Sequence, residues 1–154
     1  MSVMKTALLL AAATCAFAQV EKLDPALDAI VDANAPIEKL AGGLGFIEGP
    51  VWIAKPGYLL FSDIPANAIM KWTPGDAKPV VFRQPSGFDG KAANMANMGS
   101  NGLALDKQGR LIICQHGNRQ VVRVEKDGKV TVLADKFEGK RLRSEEHTSE
   151  LQSR

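Results

Sequence analysis

The strongest constraint on the fold is an internal repeat: sliding the chain against itself by 52 positions aligns residues 48–81 with residues 100–133 without a gap. Gly57 then falls on Gly109, and apolar runs fall on apolar runs. The first copy has four short apolar runs, near residues 51–54, 58–62, 68–72 and 79–83. Turn-forming triplets separate the runs: Lys55-Pro56-Gly57, Pro65-Ala66-Asn67 and Pro74-Gly75-Asp76. Each copy is therefore predicted to be a meander of four β-strands.

A repeat of this size restricts the architecture. Four strands in about 50 residues match one blade of a β-propeller, and blades bury their faces only against neighbouring blades. We therefore predict an all-β fold with two blades, at about residues 48–83 and 100–135, in a partial propeller over residues 44–142. Because a propeller needs at least about four blades, we expect the chain to be a fragment. A small eight-stranded sandwich is the alternative, and a gapless repeat fits it less well.

The two ends of the chain differ from this pattern. Residues 1–18 combine Lys5, an apolar run and the small-residue pattern Ala16-Phe17-Ala18, which is typical of a secretory signal peptide. The run is shorter than the roughly 20 apolar residues of a membrane helix, so we expect a periplasmic or secreted protein that leaves the membrane after cleavage. Residues 143–154, RSEEHTSELQSR, lose the apolar periodicity and resemble a translated sequencing adapter. We interpret them as a non-native tail.

Residues 19–43 are predicted to form an N-terminal helical segment. Asp24 is a favourable N-cap, and Pro25 suits the first helical position. Leu27 and Ile30 continue at helical spacing, which predicts a short amphipathic helix.

Charge and cysteine content exclude several classes of protein. The 19 Lys and Arg residues nearly balance 17 Asp and Glu residues, and no basic stripe indicates nucleic-acid binding. After signal cleavage Cys114 is the only cysteine, so we expect no internal disulfide. Its apolar run favours a small buried side chain over a reactive thiol. The Gly-, Asn- and Met-rich stretch 84–99 is predicted to be a connecting loop, with a substrate lid as the alternative.

Several motifs resemble those of one known family. In chain order they are EGPVW from residue 48, LLFSDI from 59, SNGLALDKQGRL from 100, CQHGNR from 114 and TVLADKFEGKRL from 131. Together they resemble the gluconolactonase branch of the SMP-30/gluconolactonase/LRE-like family. The resemblance implies a six-bladed propeller with one divalent cation, usually calcium, in its channel and a sugar lactone as substrate. The sequence does not indicate an oligomeric state.

Glu48 is the candidate metal ligand. The resemblance implies that Glu48, in E-G-P, is the first ligand, and a carboxylate oxygen suits a hard cation. From the residues alone, a turn-forming glutamate before Gly49-Pro50 is the slightly favoured alternative, and the resemblance is what makes Glu48 a candidate ligand. The family's next ligand, an asparagine soon after K-R-L, has no counterpart beyond Leu142. One carboxylate cannot assemble a site of about six to eight oxygens, so we expect the chain as written to be inactive.

Three further polar residues are candidates for function. Asn101 lies one position past the repeat counterpart of Glu48, which makes it a candidate substrate-binding residue; an Asn-Gly turn is the alternative. His116, predicted between the second and third strands of the second copy, is the candidate catalytic residue. It could shuttle a proton near neutral pH, or it could simply hydrogen-bond its surroundings. Asp63 is predicted to close an Asx-turn.

These observations lead to one prediction of function and two alternatives. The whole protein is predicted to hydrolyse the ester of a sugar lactone by metal-ion catalysis. One alternative is a non-catalytic propeller that binds a ligand or partner protein, because fold does not fix function. The other is a phosphotriesterase-like hydrolase on the same scaffold. An activity screen with esters and organophosphates separates the phosphotriesterase-like alternative. For the binding propeller the discriminator is the uninterrupted gene, in which an enzyme is expected to continue past Leu142 with an asparagine and a later channel-facing aspartate.

Overall fold

The computed structural model describes most of the chain: residues 21–32, 34–90 and 98–142. The predicted signal peptide and the predicted tail lie outside the described residues. The chain divides into two compact units at Leu40 and Ala41.

The N-terminal unit contains a short helix, as predicted. It is a 3-10 helix, Pro25–Ala29, in which Asp24 Oδ1 accepts a hydrogen bond of 2.7 Å from Ala26 N. This bond satisfies one of the amide donors that a helix leaves unpaired at its start. No residue of the helix is buried, and Leu23 and Ile30 are 88% and 80% exposed. Within the described ranges, no helix is long and apolar enough to cross a membrane.

The second unit consists mainly of two four-stranded antiparallel sheets, in which strands consecutive in sequence are neighbours. The strands of the first sheet are β1 (Ile47–Ile53), β2 (Tyr58–Asp63), β3 (Ala68–Trp72) and β4 (Val80–Arg83). The strands of the second are β5 (Ser100–Leu105), β6 (Leu111–Gln115), β7 (Gln120–Val124) and β8 (Val130–Ala134). A hairpin of β9 (Lys136–Phe137) and β10 (Lys140–Arg141) follows. The two predicted meanders are confirmed.

The two sheets pack face to face as neighbouring propeller blades. Their main contacts join β1 and β2 of the first sheet to β5, the first strand of the second sheet. The shared core is one apolar cluster: Leu60, Ile69, Leu111, Ile113 and Val122. Burying each such side chain contributes about 1.5–3 kcal/mol. Because neither sheet can bury this face alone, the packing of one blade on the next holds the unit together.

Side chains alternate between the two faces of each blade. Leu60 faces the second sheet, whereas Phe61 packs in a separate cluster on the other face. In β6, Leu111 and Ile113 face the first sheet, and Cys114 lies on the opposite face and is exposed. The prediction that Cys114 is buried is therefore wrong, because Cys114 is out of phase with the inward-facing residues of its strand.

A cluster of ion pairs lies at the end of the second sheet where β5 turns into β6. Arg110 Nε donates to Asp106 Oδ2 at 2.7 Å, and Arg110 Nη1 donates to Glu125 Oε2 at 3.1 Å. Desolvation acts to raise the pKa of Asp106, but hydrogen bonds from Arg110 and Gln108 outweigh it and hold that pKa below its ordinary value. A hydrogen bond from Arg123 likewise lowers the pKa of Glu125. Both carboxylates are therefore stabilised in their charged form.

Candidate functional site

An open cleft of about 320 Å³ lies where the first strands of the two blades meet. Its lining includes Glu48 of β1, Asn101 of β5, and His116 and Arg119 from the turn after β6. The structure therefore brings the three candidate site residues to one cavity, although their roles stay predictions. The volume lies at the lower end of the range of small-molecule sites, about 300–1,000 Å³.

A β-bulge positions Glu48. Glu48 pairs with Ser62 of β2, and the register of β1 shifts between Glu48 and Val51. Gly49 lies inside the bulge with φ +62°. A Cβ atom on Gly49 would lie 2.6 Å from the backbone oxygen of Asn101. A glycine is therefore required for β1 to bend here and to approach β5 this closely.

The pairing of the strands corrects the repeat alignment. Asp63 pairs with Ile47 in the first sheet, and Gln115, 52 positions after Asp63, pairs with Ser100 in the second. Ile47 and Ser100 are 53 positions apart. The first strands of the two sheets, β1 and β5, here called the inner strands, are therefore offset by one residue more than the middle strands β2 and β6. The cause is the turn that follows the inner strand. Ile53 pairs with Tyr58 across the four residues 54–57, whereas Asp106 N donates to Arg110 O across only the three residues 107–109, so the turn of the second blade is one residue shorter.

Asn101 is consequently the structural counterpart of Glu48, one residue beyond the position that the gapless alignment assigns. The same position of two successive blades thus offers a carboxylate and an amide to the cleft. Asn101 lies inside β5, so the alternative of an Asn-Gly turn is wrong.

The side chain of Asn101 has an unusual environment. Its Oδ1 atom is removed from solvent and accepts no hydrogen bond from the described residues. A buried acceptor without a donor costs about 1–3 kcal/mol. Such atoms are rare in folded proteins. The Oδ1 atom of Asn101 is therefore one of the few polar atoms in the described part of the chain that are buried without a partner.

The turn that carries His116 has the same form in both blades. Arg119 N donates to His116 O at 3.1 Å, and Asn67 N donates to Ile64 O at 3.0 Å. Arg119 and Asn67 both adopt the left-handed conformation, with φ of +55° and +50°. The prediction that His116 lies between β6 and β7 is confirmed. Sequence reasoning missed Arg119; the available signal was its repeat counterpart Asn67, a residue type that tolerates this conformation.

Asn67 organises the start of the connector between the blades. Its Oδ1 accepts hydrogen bonds from the backbone amides of Ser86, Gly87 and Phe88 at 3.1, 2.8 and 3.2 Å. Its Nδ2 donates to the Phe88 carbonyl at 2.7 Å. The side chain therefore substitutes for the missing strand partners of this segment. Residues 91–97 of the predicted loop lie outside the described residues.

A buried polar network connects the blades beside the cleft. Ser62 Oγ lies 2.7 Å from Ser100 Oγ and 2.7 Å from the Asn101 carbonyl oxygen. Ser100 N donates to Ser86 Oγ at 3.0 Å, and Gln115 Nε2 donates to the Ser86 carbonyl at 3.0 Å. All three serines are completely buried. Sequence reasoning missed this network. Its only signal in the sequence is that Ser62 and Gln115 each lie two residues after a buried apolar residue of the same strand, at positions that point to the same face.

Asp63 does not form the predicted Asx-turn. Its side chain is buried, and Oδ2 accepts a hydrogen bond of 3.2 Å from Gly45 N. Pro65, two residues further on, has no N–H to donate, so the predicted bond could not form. Asp63 instead ties the start of the first blade to the end of β2.

The oxygen donors in the cleft fit part of a hard-cation site. Within the described ranges, no three His, Cys, Asp or Glu side chains are grouped closely enough to hold a metal ion. The carboxylate of Glu48 and the amide of Asn101 are nevertheless the oxygen ligands that calcium prefers, and both line the cleft. Calcium takes about six to eight oxygens, so these two groups supply only part of a coordination shell.

Comparison with known proteins gives a consistent assignment. The model of the family described as SMP-30/Gluconolactonase/LRE-like region matches residues 46–148. A gluconolactonase of Zymomonas mobilis subsp. mobilis is 38% identical over 129 residues, covering 82% of this chain and 36% of the relative. The solved structure of a gluconolactonase from Xanthomonas campestris matches with a TM-score of 0.62 and 28% identity, over 84% of this chain and 38% of that one. The chain thus spans little more than a third of the length of these relatives.

Proposed function

The chain belongs to the SMP-30/gluconolactonase/LRE-like family, and on that basis we propose that the whole protein hydrolyses the ester bond of a sugar lactone with the help of a divalent cation, calcium. The observation that carries this proposal is the cleft between β1 and β5. There Glu48 and Asn101, which carry a carboxylate and an amide, line the same cavity in a gluconolactonase-like chain.

Each residue of the cleft has a distinct proposed role. A bound divalent cation supplies a Lewis acid for the ester carbonyl and lowers the pKa of water. Glu48 would hold this cation and supply negative charge. Asn101 would accept a hydrogen bond from a substrate hydroxyl and so orient the sugar. His116 would carry a proton between water and the leaving oxygen, because an imidazole titrates near neutral pH.

The proposed setting of the reaction is the periplasm or the exterior of the cell. The support is the signal-like pattern of residues 1–18, which lie outside the described residues.

The decisive experiment replaces Glu48 by glutamine in the whole protein. Glu48→Gln keeps the size of the side chain and removes its charge, so calcium affinity and gluconolactone hydrolysis should fall together by about tenfold or more. Calorimetry with calcium and a hydrolysis assay measure the two quantities. Glu138→Gln is the matched control, because it removes the same charge from the exposed turn between β9 and β10.

The proposed function fails if Glu48→Gln leaves both quantities within about threefold of the parent, since that corresponds to a change of only about 0.7 kcal/mol. Hydrolysis of organophosphates in preference to lactones would favour the phosphotriesterase-like alternative. Absence of hydrolysis with every ester and organophosphate would favour a binding protein.

A further inference from the structure

We propose that Ser62 is a positioning residue that fixes the separation of Glu48 and Asn101 across the cleft. The inference rests on the proposed function, in that it concerns the same site. Ser62 itself does not line the cleft and would touch neither cation nor substrate.

Ser62 interacts with the strand of each cleft residue. In the first sheet it lies directly opposite Glu48, and opposed residues of an antiparallel pair project to the same face. Across the interface between the blades, its Oγ lies 2.7 Å from the backbone oxygen of Asn101. A single side chain therefore connects the positions of Glu48 and Asn101.

The count of hydroxyl protons gives the network a direction. A serine hydroxyl has one proton, and the Asn101 carbonyl can only accept. Ser62 must therefore donate to Asn101, and Ser100 must donate its own proton to Ser62 Oγ at 2.7 Å. Loss of the Ser62 hydroxyl removes the bond to Asn101, whereas loss of the Ser100 hydroxyl leaves it in place.

The same Asn101 oxygen is also constrained from the other side. A Cβ atom added to Gly49 would lie only 2.6 Å from the backbone oxygen of Asn101, so the backbone of β1 is already in close contact with β5. The contact with Gly49 limits how closely the strands can approach, and the bond from Ser62 limits how far they can separate. Ser62 is completely buried, so its hydroxyl is out of reach of bulk solvent.

The test compares three variants of the whole protein: Ser62→Ala, Ser100→Ala and Ile69→Val. Ile69 is the completely buried partner of Ser62 in β3, so Ile69→Val perturbs the same core without touching a polar group. Thermal melts report stability, calorimetry reports calcium affinity, and NMR reports the side-chain amide of Asn101. Hydrolysis of gluconolactone is measured alongside.

Ser62→Ala should weaken calcium binding by about tenfold or more, as loss of a residue that orients a ligand typically does. It should also shift the Asn101 amide resonances. Ser100→Ala and Ile69→Val should lower the melting temperature about as much as Ser62→Ala does, but they should change calcium affinity by less than about threefold. Ser62→Thr, which keeps the hydroxyl, should restore the Asn101 resonances.

The outcomes separate this inference from the proposed function. If the parent hydrolyses no lactone but only Ser62→Ala displaces the Asn101 amide, the proposed function fails and the positioning role stands. If Ser62→Ala and Ile69→Val have the same effect on the Asn101 amide and on calcium affinity, Ser62 is only a core residue and the inference is overturned, whether or not the parent is a lactonase.

Discussion

Replacing Gly49 by alanine tests how closely the inner strands of the two blades approach each other. The new Cβ would lie 2.6 Å from Asn101 O, 2.9 Å from Gly102 Cα and 3.0 Å from Leu103 N. All three are backbone atoms, so no side chain can rotate away and β5 itself must move. Overpacking of this kind costs about 1–3 kcal/mol. The left-handed φ of +62° adds about 1–2 kcal/mol for a residue with a Cβ.

The expected loss for Gly49→Ala is therefore about 2–5 kcal/mol, out of a typical stability of about 5–15 kcal/mol. Gly109→Ala isolates the conformational part, because Gly109 has φ +75° and nothing within 4 Å of its Cβ position. This control should lose only about 1–2 kcal/mol. Urea unfolding of the whole protein measures both. If the two losses agree within about 0.5 kcal/mol, near the error of the extrapolation, close contact between the blades is not what requires glycine at position 49.

Two further predictions concern parts of the fold away from the cleft. Asn67→Ala should lower the free energy of unfolding by about 2–4 kcal/mol, because three backbone amides lose their acceptor. Asn67→Asp keeps an acceptor oxygen and should lose less in a thermal melt; equal losses would contradict this account. The pKa values of Asp106 and Glu125 are lowered in the native state. Their ion pairs therefore stabilise the fold fully at a pH above the ordinary pKa of a carboxyl group. This stability is lost as the pH falls through the lowered pKa values. Between about pH 3 and 5, the melting temperature of Asp106→Asn should therefore fall less steeply than that of the parent, and parallel curves would refute the role of the cluster.

The strands could be predicted from the sequence because the signals that specify them are local. Lys55-Pro56-Gly57 and similar triplets mark the turns, and the apolar runs between them have the length of strands. Repetition of the pattern then indicated blades. The register of the inner strands could not be predicted, because a turn that is one residue shorter in the second blade leaves the apolar pattern almost unchanged.

The site was predictable only where residue type or family resemblance pointed to it. Glu48 and His116 carry chemistry that is recognisable from their side chains, and both line the cleft. Ser62 and Ser100 did not stand out, because serine is usually exposed. Their burial depends on each other across the interface between the blades, a contact that no local pattern records. Arg119 was missed because the left-handed conformation of its backbone is part of the turn that brings it to the cleft, and an arginine in the sequence does not signal that conformation.

The shorter turn of the second blade also uncouples two properties of the repeat, the packing between blades and the side chain that each inner strand carries at a given position. The middle strands keep the spacing of 52 and preserve the packing between blades, while the inner strand advances by one residue. Insertion or deletion in an exposed turn therefore exchanges the side chain at a given position of the inner strand without any substitution in the strand itself. Here Asn101 takes the place that Ser100 would hold if the spacing of 52 continued. The length of this turn therefore determines which side chain an inner strand carries at a given position, and changing it blade by blade would change which side chains line the cleft between blades.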